Sequence, residues 1–408
     1  MIESTTARRG NVLISGASLA GPALAFWLHR FGFSATVVER APRLREGGQA
    51  VDFRGAAHLQ MLTRMGLLDE IRELRTPEGR LNVIDGDGRT LASLPPEFTG
   101  GDVEIQRGDL SQLLFDKTED HTEYVFGDSI TGLTDTAEGV HVTFERGAPR
   151  TFDLVIGADG LHSNVRKLTF GDESRFLTQS GYYVAIFNAP NSIGLGDDSV
   201  LYNEPGVGVM AYGTRGGDEC EVMCLFESAP IDYDHRDIDQ QKRILADVMA
   251  GVGWQTPTLM RELESATSFY FDSISVVEMD RYSEGRIALI GDAGYGATCG
   301  GMGAGMSLIS AYVLAAELAA ADGDHRAAFA RYEEQIRGYA TACQKVAKGA
   351  GPTLAPPTAK KLGQRNRMFR VLTFGPLSRL LAWMSTRAAN AIDVGRYESV
   401  PERVPATS

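Results

Sequence analysis

The chain has 408 residues, 43% hydrophobic and 23% charged, a composition typical of a globular protein with more than one domain. Its 40 basic and 53 acidic side chains give a formal charge of −13, which argues against nucleic acid as a partner. The four cysteines, Cys220, Cys224, Cys299 and Cys343, form no CxxC pair and have no histidine at ligand spacing. We therefore expect no metal site, no disulfide framework and a cytoplasmic location. No run of about 18 consecutive apolar residues occurs, so no membrane span is expected.

The first elements predict a βαβ unit. Residues 11–15 are an apolar run, 22–31 have apolar side chains at helical spacing, and 35–39 are rich in β-branched residues. The sequence GASLAG, from Gly16 to Gly21, joins the first strand to the helix, and Glu39 ends the second strand. Glycine here lets a pyrophosphate approach the helix N-terminus, and a carboxylate after the second strand binds ribose hydroxyls. The unit therefore predicts a dinucleotide site.

The middle of the chain predicts a second module. A glycine-rich loop over 47–55, a helix over 56–75 and strand-like pieces near 81–84 and 90–94 come first. From residue 176 to 271, aromatic and β-branched stretches alternate with Gly and Asp turns, as in an antiparallel sheet. Further helices are predicted over 109–117, 239–250, 305–321 and 360–393, the last broken at Gly375-Pro376.

Two more motifs place polar residues after buried strands. In DLVIGADGLHSNVR, the pair Asp159-Gly160 lies in the turn that follows a strand. In GRIALIGDAGYG, Asp292 ends a strand, and the sequence GGMGAG (300–305) follows. Backbone N–H groups at such a helix start form a cradle for an anion or a carbonyl oxygen. Each motif alone is compatible with an ordinary turn, but the three motifs in this order are specific enough to indicate a protein family.

Together these motifs resemble the FAD-dependent class A flavoprotein monooxygenases, the p-hydroxybenzoate hydroxylase-like family, and within it the natural-product and tetracycline-inactivating branch. The resemblance covers about residues 11–350 and includes Arg107. It implies an α/β fold with a Rossmann-like FAD-binding domain, an inserted, mainly antiparallel-sheet substrate domain and a C-terminal helix. The implied FAD-binding segments are 1–75, 101–172 and 276–355, the substrate segments are 76–100 and 173–275, and the C-terminal helical region is 356–395.

The resemblance also implies the residues that contact FAD: Gly16, Ser18, Leu19, Ala20, Gly21, Glu39, Arg40, Arg45, Asp52, Arg107, Asp159, Gly160, Asp292, Gly301, Met302 and Gly303. Glu39 is expected to hold the adenosine ribose, and Arg40 to lie along the adenine. Asp292 and Arg107 are expected near the ribityl chain and the pyrophosphate. The pair 159–160 belongs to the motif that touches both FAD and NADPH, and the amides of 301–303 are expected near the isoalloxazine carbonyls.

Two residues depart from the family pattern. Ser18 replaces the middle glycine of the first turn. Cys299 stands where the family usually has proline, beside the flavin edge that reacts with dioxygen. Cys299 either alters the oxygen chemistry or is a small buried apolar residue.

The implied reaction is a monooxygenation carried by the flavin, so no catalytic side chain is assigned. NADPH or NADH reduces FAD, dioxygen adds at the flavin C4a position, and the hydroperoxide transfers one oxygen atom to substrate. The expected substrate is an apolar polycyclic or phenolic molecule of natural-product biosynthesis or antibiotic modification, contacted by Tyr212, Met223 and Phe226. A non-redox cyclase or isomerase that uses FAD as a scaffold, and a sequestration protein, stay open as alternatives. Hydroxylation, epoxidation and Baeyer–Villiger insertion, and a monomer or a homodimer, all fit the sequence.

The C-terminal region 365–393 combines large apolar residues with several arginines. This pattern fits a membrane-surface helix or a helix packed on the protein body with its arginines in solvent. The resemblance favours the second reading, because a C-terminal helix in the tetracycline-inactivating relatives bridges the two domains and borders the pocket.

Overall fold

A computed structural model describes residues 9–45, 47–96, 101–299, 301–372 and 386–403. It is an α/β structure, as predicted, and its described strands form four sheets. Gly300 and the predicted break at Gly375-Pro376 lie outside the described residues.

The strands in chain order are β1 (Asn11–Ser15), β2 (Ser34–Glu39), β3 (Ala50–Phe53), β4 (Leu81–Ile84), β5 (Thr90–Leu94), β6 (Val103–Gln106), β7 (Glu123–Phe126), β8 (Ile130–Thr136), β9 (Gly139–Phe144), β10 (Arg150–Phe152), β11 (Leu154–Gly157), β12 (Leu177–Pro190), β13 (Ser199–Glu204), β14 (Val207–Gly213), β15 (Glu219–Glu227), β16 (Phe269–Val277), β17 (Ser283–Glu284) and β18 (Ile287–Leu289). The α-helices are α1 (Ala20–Arg30), α2 (Gly55–Met65), α3 (Leu68–Glu73), α4 (Arg107–Asp116), α5 (Asn164–Phe170), α6 (Ile238–Met249), α7 (Thr256–Glu262), α8 (Asp292–Tyr295), α9 (Gly303–Ala320), α10 (His325–Lys348), α11 (Ala350–Leu354) and α12 (Ala359–Leu372). Short 3-10 helices occupy Glu173–Arg175 and Val394–Tyr397.

A six-stranded sheet in the order β17-β18-β11-β1-β2-β7 carries the three motifs. Its neighbours are parallel except β17 and β18. Strands β1, β11 and β18 are buried almost throughout, which is why they are continuous apolar runs instead of alternating ones. Parallel pairing brings the carboxyl ends of β1, β2, β11 and β18 to one edge of the sheet. The turns of all three motifs therefore begin at that edge.

The core of this region is built on α1 and α9. Trp27 of α1 packs on Tyr312 of α9 with 4.6 Å between ring centroids, and both side chains are buried. Truncating a buried tryptophan to alanine costs about 3–5 kcal/mol. Among the described residues, α9 is the one helix long and apolar enough to cross a membrane. However, 89% of it is buried inside the protein, as expected of a core helix.

The second large sheet has seven strands in the order β16-β12-β15-β14-β13-β4-β5. All its pairs are antiparallel except β13 with β4, so the β4–β5 hairpin extends a sheet whose other strands lie about 100 residues later. One face packs on α6 and α7 in an aromatic cluster. The other face packs on Leu354, Phe369 and Cys299. The proposed domain boundaries stay a prediction.

Three local predictions differ from the structure. The helix expected over 56–75 is two helices, because Gly66 ends α2 in the left-handed conformation at φ 67°. The predicted glycine-rich loop contains β3, which pairs with β6. The 24-residue helix α10 was not predicted, although Asp324 caps its first turn by accepting hydrogen bonds from two backbone N–H groups.

Candidate functional site

The turn between β1 and α1 requires glycine at both ends. Gly16 has φ 107°, and a Cβ there would lie 2.5 Å from the carbonyl oxygen of Ala158. A Cβ on Gly21 would lie 1.9 Å from the carbonyl oxygen of Gly16. Within the described residues, no side chain caps α1, and Leu19 and Ala20 at its start are buried. The first N–H groups of this helix therefore lie ready to bind an anion.

Glu39 lies beside this turn. Its Oε2 accepts a hydrogen bond from the backbone N–H of Ala17 at 2.9 Å, and its Oε1 accepts one from that of Ala41 at 2.8 Å. These bonds fix the carboxylate at the sheet edge, where each oxygen keeps a lone pair for a ligand hydroxyl. Arg40 is exposed next to Glu39.

Arg107, at the start of α4, is joined to the same turn. Its Nη2 donates to the Ser18 hydroxyl at 2.9 Å, and its backbone N–H donates to the carbonyl of Gln49 at 3.2 Å. The residue that departs from the glycine pattern therefore anchors the arginine. Burial lowers the pKa of Arg107, and the negative charge of Asp292 opposes this change. Arg45 is exposed and close enough to add positive charge.

The two predicted aspartates differ in their hydrogen bonding. Asp159 accepts from the Ser163 hydroxyl, from the backbone N–H of Val165 at 3.0 Å and from the Ser15 hydroxyl at 3.3 Å. Its carboxylate thus shapes its own turn, and Gly160 follows with φ 80°. The Oδ1 of Asp292 is buried and has no hydrogen-bond partner among the described residues. Burial raises the pKa of Asp292, while Arg107 lowers it. A buried acceptor of this kind fits a ligand hydroxyl.

The start of α9 completes this edge. Gly301 has φ 63°, and a Cβ there would lie 3.2 Å from Oδ1 of Asp52. Asp52 is buried in an ion pair with Arg54, and burial raises its pKa to about 6. Met302 is buried at the N-cap position, and no side chain in the described part of the chain caps this helix. Gly303 lies beside Asp292, so the first N–H groups of α9 and the buried Oδ1 of Asp292 face one region.

The predicted substrate residues divide between the two faces of the seven-stranded sheet. Met223 pairs with Met210 and Tyr212 pairs with Glu221, so Tyr212 and Met223 share the face toward Cys299. Burial raises the pKa of Glu221 to about 8, and the Tyr212 hydroxyl donates a hydrogen bond to it.

Phe226 lies on the opposite face. It is 1% exposed and stacks on Tyr183 at 5.6 Å between centroids. The sequence pattern grouped Phe226 with Tyr212 and Met223, but side chains alternate along a strand, and Phe226, three positions after Met223 on β15, points to the other face. Its position makes it a core residue.

Tyr270 is a site residue that the sequence analysis missed. It lies between Phe269 and Phe271, which pack in the aromatic cluster, and it points the other way, toward Cys299. Burial raises its pKa, and Arg107 and Asp292 both lie within electrostatic range of it. The strand alternation of 269–271 was the signal that would have identified it.

Cys299 has φ 62°, a conformation that proline, with φ fixed near −65°, cannot adopt. The loop therefore differs in shape from one that carries proline at this position. Burial raises the pKa of the Cys299 thiol to about 12, so it stays protonated at neutral pH.

Comparison with known proteins agrees with this geometry. A family model described as FAD binding domain matches residues 9–348. An uncharacterized protein of Mycobacterium tuberculosis, Rv1260, is 44% identical over 338 residues, which cover 80% of this chain and 90% of the relative. A flavin-dependent monooxygenase of Legionella longbeachae is 36% identical over 339 residues, which cover 82% and 87%. The crystal structure of tetracycline destructase Tet(51) matches with a TM-score of 0.81 and 32% identity, over 95% of this chain and 99% of that one.

Proposed function

Because the chain belongs to the FAD-dependent class A flavoprotein monooxygenases, we propose that it uses NADPH or NADH to insert one oxygen atom from dioxygen into an apolar polycyclic or phenolic substrate. The nicotinamide supplies two electrons, the substrate takes one oxygen atom, and the other leaves as water. The observation that carries this proposal is the convergence at one sheet edge of Glu39, Arg107 and Asp292 with two helix starts that no side chain of the described residues caps. The free cysteines support a reducing, cytoplasmic setting.

The residues present fit FAD. The amides at the start of α1 would bind the pyrophosphate, and the carboxylate of Glu39 would accept hydrogen bonds from the adenosine ribose. The unpartnered Oδ1 of Asp292 would accept one from the ribityl chain. The amides of 301–303 would donate to the flavin carbonyls. FAD, when bound, supplies the reductive activation of dioxygen, and the chain orients substrate and keeps water out.

The substrate would lie between this edge and the face of the seven-stranded sheet that carries Tyr212, Met223 and Tyr270. That face is apolar except for a few buried polar groups, of which the Tyr212–Glu221 pair is one. Such a lining suits a large apolar molecule with a few hydroxyl or carbonyl groups. Similarity to Tet(51), a tetracycline destructase, supports polycyclic substrates of this kind.

The test is oxygen incorporation. The FAD-loaded protein is incubated with NADPH, oxygen-18 gas and a panel of polycyclic phenols that includes a tetracycline. The masses of the products are then measured by mass spectrometry. We expect a product that carries one oxygen-18 atom from the gas and none when the label is in water instead. A cyclised or isomerised product that forms without NADPH and gains no oxygen would contradict the proposal.

A further inference from the structure

Two histidines and an aspartate from three distant segments meet beside the cofactor edge. His162 lies within the second motif, His235 lies between β15 and α6, and Asp272 belongs to β16. One ligand atom from each lies within 4.8 Å of the other two. We propose that His162, His235 and Asp272 form a binding site for a divalent transition-metal ion of the Zn²⁺ class. This proposal does not depend on the proposed monooxygenase reaction, although Asp272 adjoins the proposed substrate face through Tyr270.

The distances are close to those of a metal site. Nε2 of His162 lies 2.8 Å from Oδ2 of Asp272, and the His162 and His235 rings are 4.5 Å apart between centroids. Ligand atoms around a tetrahedral zinc ion lie about 3.4 Å from one another, given metal–ligand bonds of about 2.0–2.1 Å. Movements of about an ångström would therefore admit the ion. His235 is exposed in a connecting segment without regular secondary structure, so it can make most of that movement.

The second nitrogen of His162 is held as in known metal sites. Nδ1 lies 3.0 Å from Oε1 of Glu173, and Glu173 in turn accepts a hydrogen bond from Nη2 of the fully buried Arg166 at 3.0 Å. Histidines that bind metals usually donate their other ring N–H to a carboxylate, which fixes the ring and its tautomer. Glu173 would play that part here and leave Nε2 for the ion.

Asp272 is also oriented toward the cluster. Its Oδ1 accepts the backbone N–H of Ser273 at 2.7 Å and the Tyr233 hydroxyl at 3.4 Å, while Oδ2 faces His162 and the Tyr270 hydroxyl. The Asp272 side chain is 5% exposed and that of His162 is 34% exposed. The ion would therefore rest on a rigid buried ligand and face solvent on its other side, where water would complete the coordination.

The ligand set selects the class of ion. Two imidazole nitrogens and one carboxylate oxygen suit Zn²⁺ and its transition-metal neighbours better than Ca²⁺ or Mg²⁺, which favour oxygen ligands. A proton on Nε2 of His162 competes with the metal ion for the same nitrogen. When both ring nitrogens are protonated, His162 forms an ion-pair network with Glu173 and Asp272. The experiment therefore has to distinguish the metal-bound state from this ion-pair network.

The test is calorimetric titration of the full-length, FAD-loaded protein with Zn²⁺ after treatment with a chelator and desalting. We expect one equivalent to bind. His235→Ala should weaken that binding at least tenfold, and Glu173→Gln should weaken it by about 10- to 100-fold. The matched control is His141→Ala, which removes an exposed histidine of β9 and should leave the affinity unchanged.

The absorption spectrum of bound FAD reports whether the variants are folded. His235 is an exposed residue with no assigned part in the cofactor site, so we expect that spectrum to be unchanged in His235→Ala. Absence of a zinc equivalent in the wild type would overturn the proposal and leave an ion-pair network. Zinc binding that His235→Ala leaves intact, or that His141→Ala weakens equally, would identify scattered surface binding and would also overturn it.

Discussion

Replacing Asp292 by asparagine tests the proposed role of its buried Oδ1 in binding FAD. The carboxylate has a buried Oδ1 without a partner in the described residues, next to the half-buried Arg107. Asparagine keeps the size of the side chain and removes its charge. We expect Asp292→Asn to bind FAD more weakly while the protein without FAD stays about as stable as the wild type.

The magnitude follows from the change in the hydrogen bond. Asparagine keeps an acceptor oxygen, so a bond to a charged acceptor, which contributes about 1.5–3 kcal/mol, becomes a bond to a neutral acceptor, which contributes about 0.5–1.5 kcal/mol. Each 1.36 kcal/mol is a factor of ten in affinity, so the dissociation constant of FAD should rise by about 5- to 13-fold. In the protein without FAD, removal of a buried negative charge and loss of its attraction to Arg107 change the stability in opposite directions. The free energy of unfolding should consequently change by less than about 1 kcal/mol.

The assay combines FAD titration by flavin fluorescence with urea unfolding of the FAD-free protein. Asp128→Asn is the matched control, because Asp128 is buried and accepts backbone N–H bonds from Ser129, Arg146 and Gly147 at 2.8–3.0 Å. It should lower stability without changing FAD affinity. FAD binding by Asp292→Asn within threefold of the wild type, or a loss of several kcal/mol in its stability, would refute the reasoning.

Three further predictions concern the packing around the site. Gly305→Ala should destabilise the fold by about 1–3 kcal/mol in urea unfolding, because its Cβ would lie 2.1 Å from the buried His58 ring. Gly338→Ala should instead stabilise the fold by about 0.4–1 kcal/mol, because Gly338 is in a helix and has open space around it. Burial lowers the pKa of His58 from 6.5 to about 3. Its neutral form therefore stabilises the fold fully above pH 6.5, and this contribution falls by roughly 1.4 kcal/mol per pH unit as the pH drops from 6.5 toward 3; a His58→Gln variant with the same pH dependence of unfolding would argue against it. Phe226→Ala should cost about 3–5 kcal/mol in unfolding, whereas Met223→Ala should chiefly raise the KM for substrate; the reverse pattern would show that the two faces are assigned wrongly.

The nucleotide-binding edge was predictable because its determinants are local. A strand, a glycine-bounded turn and a helix follow one another within 20 residues. The close backbone contacts at positions 16 and 21 leave no room for a side chain, so glycine at these positions is itself a signal in the sequence. The same holds for the carboxylates that end strands, since a parallel sheet brings all such ends to one edge. Short-range patterns therefore indicated a dinucleotide site, and the family resemblance that they carry implied the fold class and FAD.

Other features depend on register or on distant contacts. Phe226 and Met223 lie on opposite faces of the sheet, and Tyr270 points toward the proposed site. These positions depend on which side of each strand faces the site, and the presence of many aromatic residues in this region does not reveal it. His162 and Asp272 are 110 positions apart and lie on elements that meet only in the folded chain. Isolated histidines in the sequence therefore gave no sign of the cluster.

The most direct test of the central claim is the visible spectrum of the FAD-loaded protein under anaerobic conditions, before and after NADPH or NADH and with a panel of polycyclic phenols. We expect the flavin absorption to bleach, one of the phenols to accelerate the bleaching, and admission of air to restore the oxidised spectrum. A bound flavin that neither nucleotide reduces, with or without any substrate of the panel, would contradict the assignment of a redox role to this site.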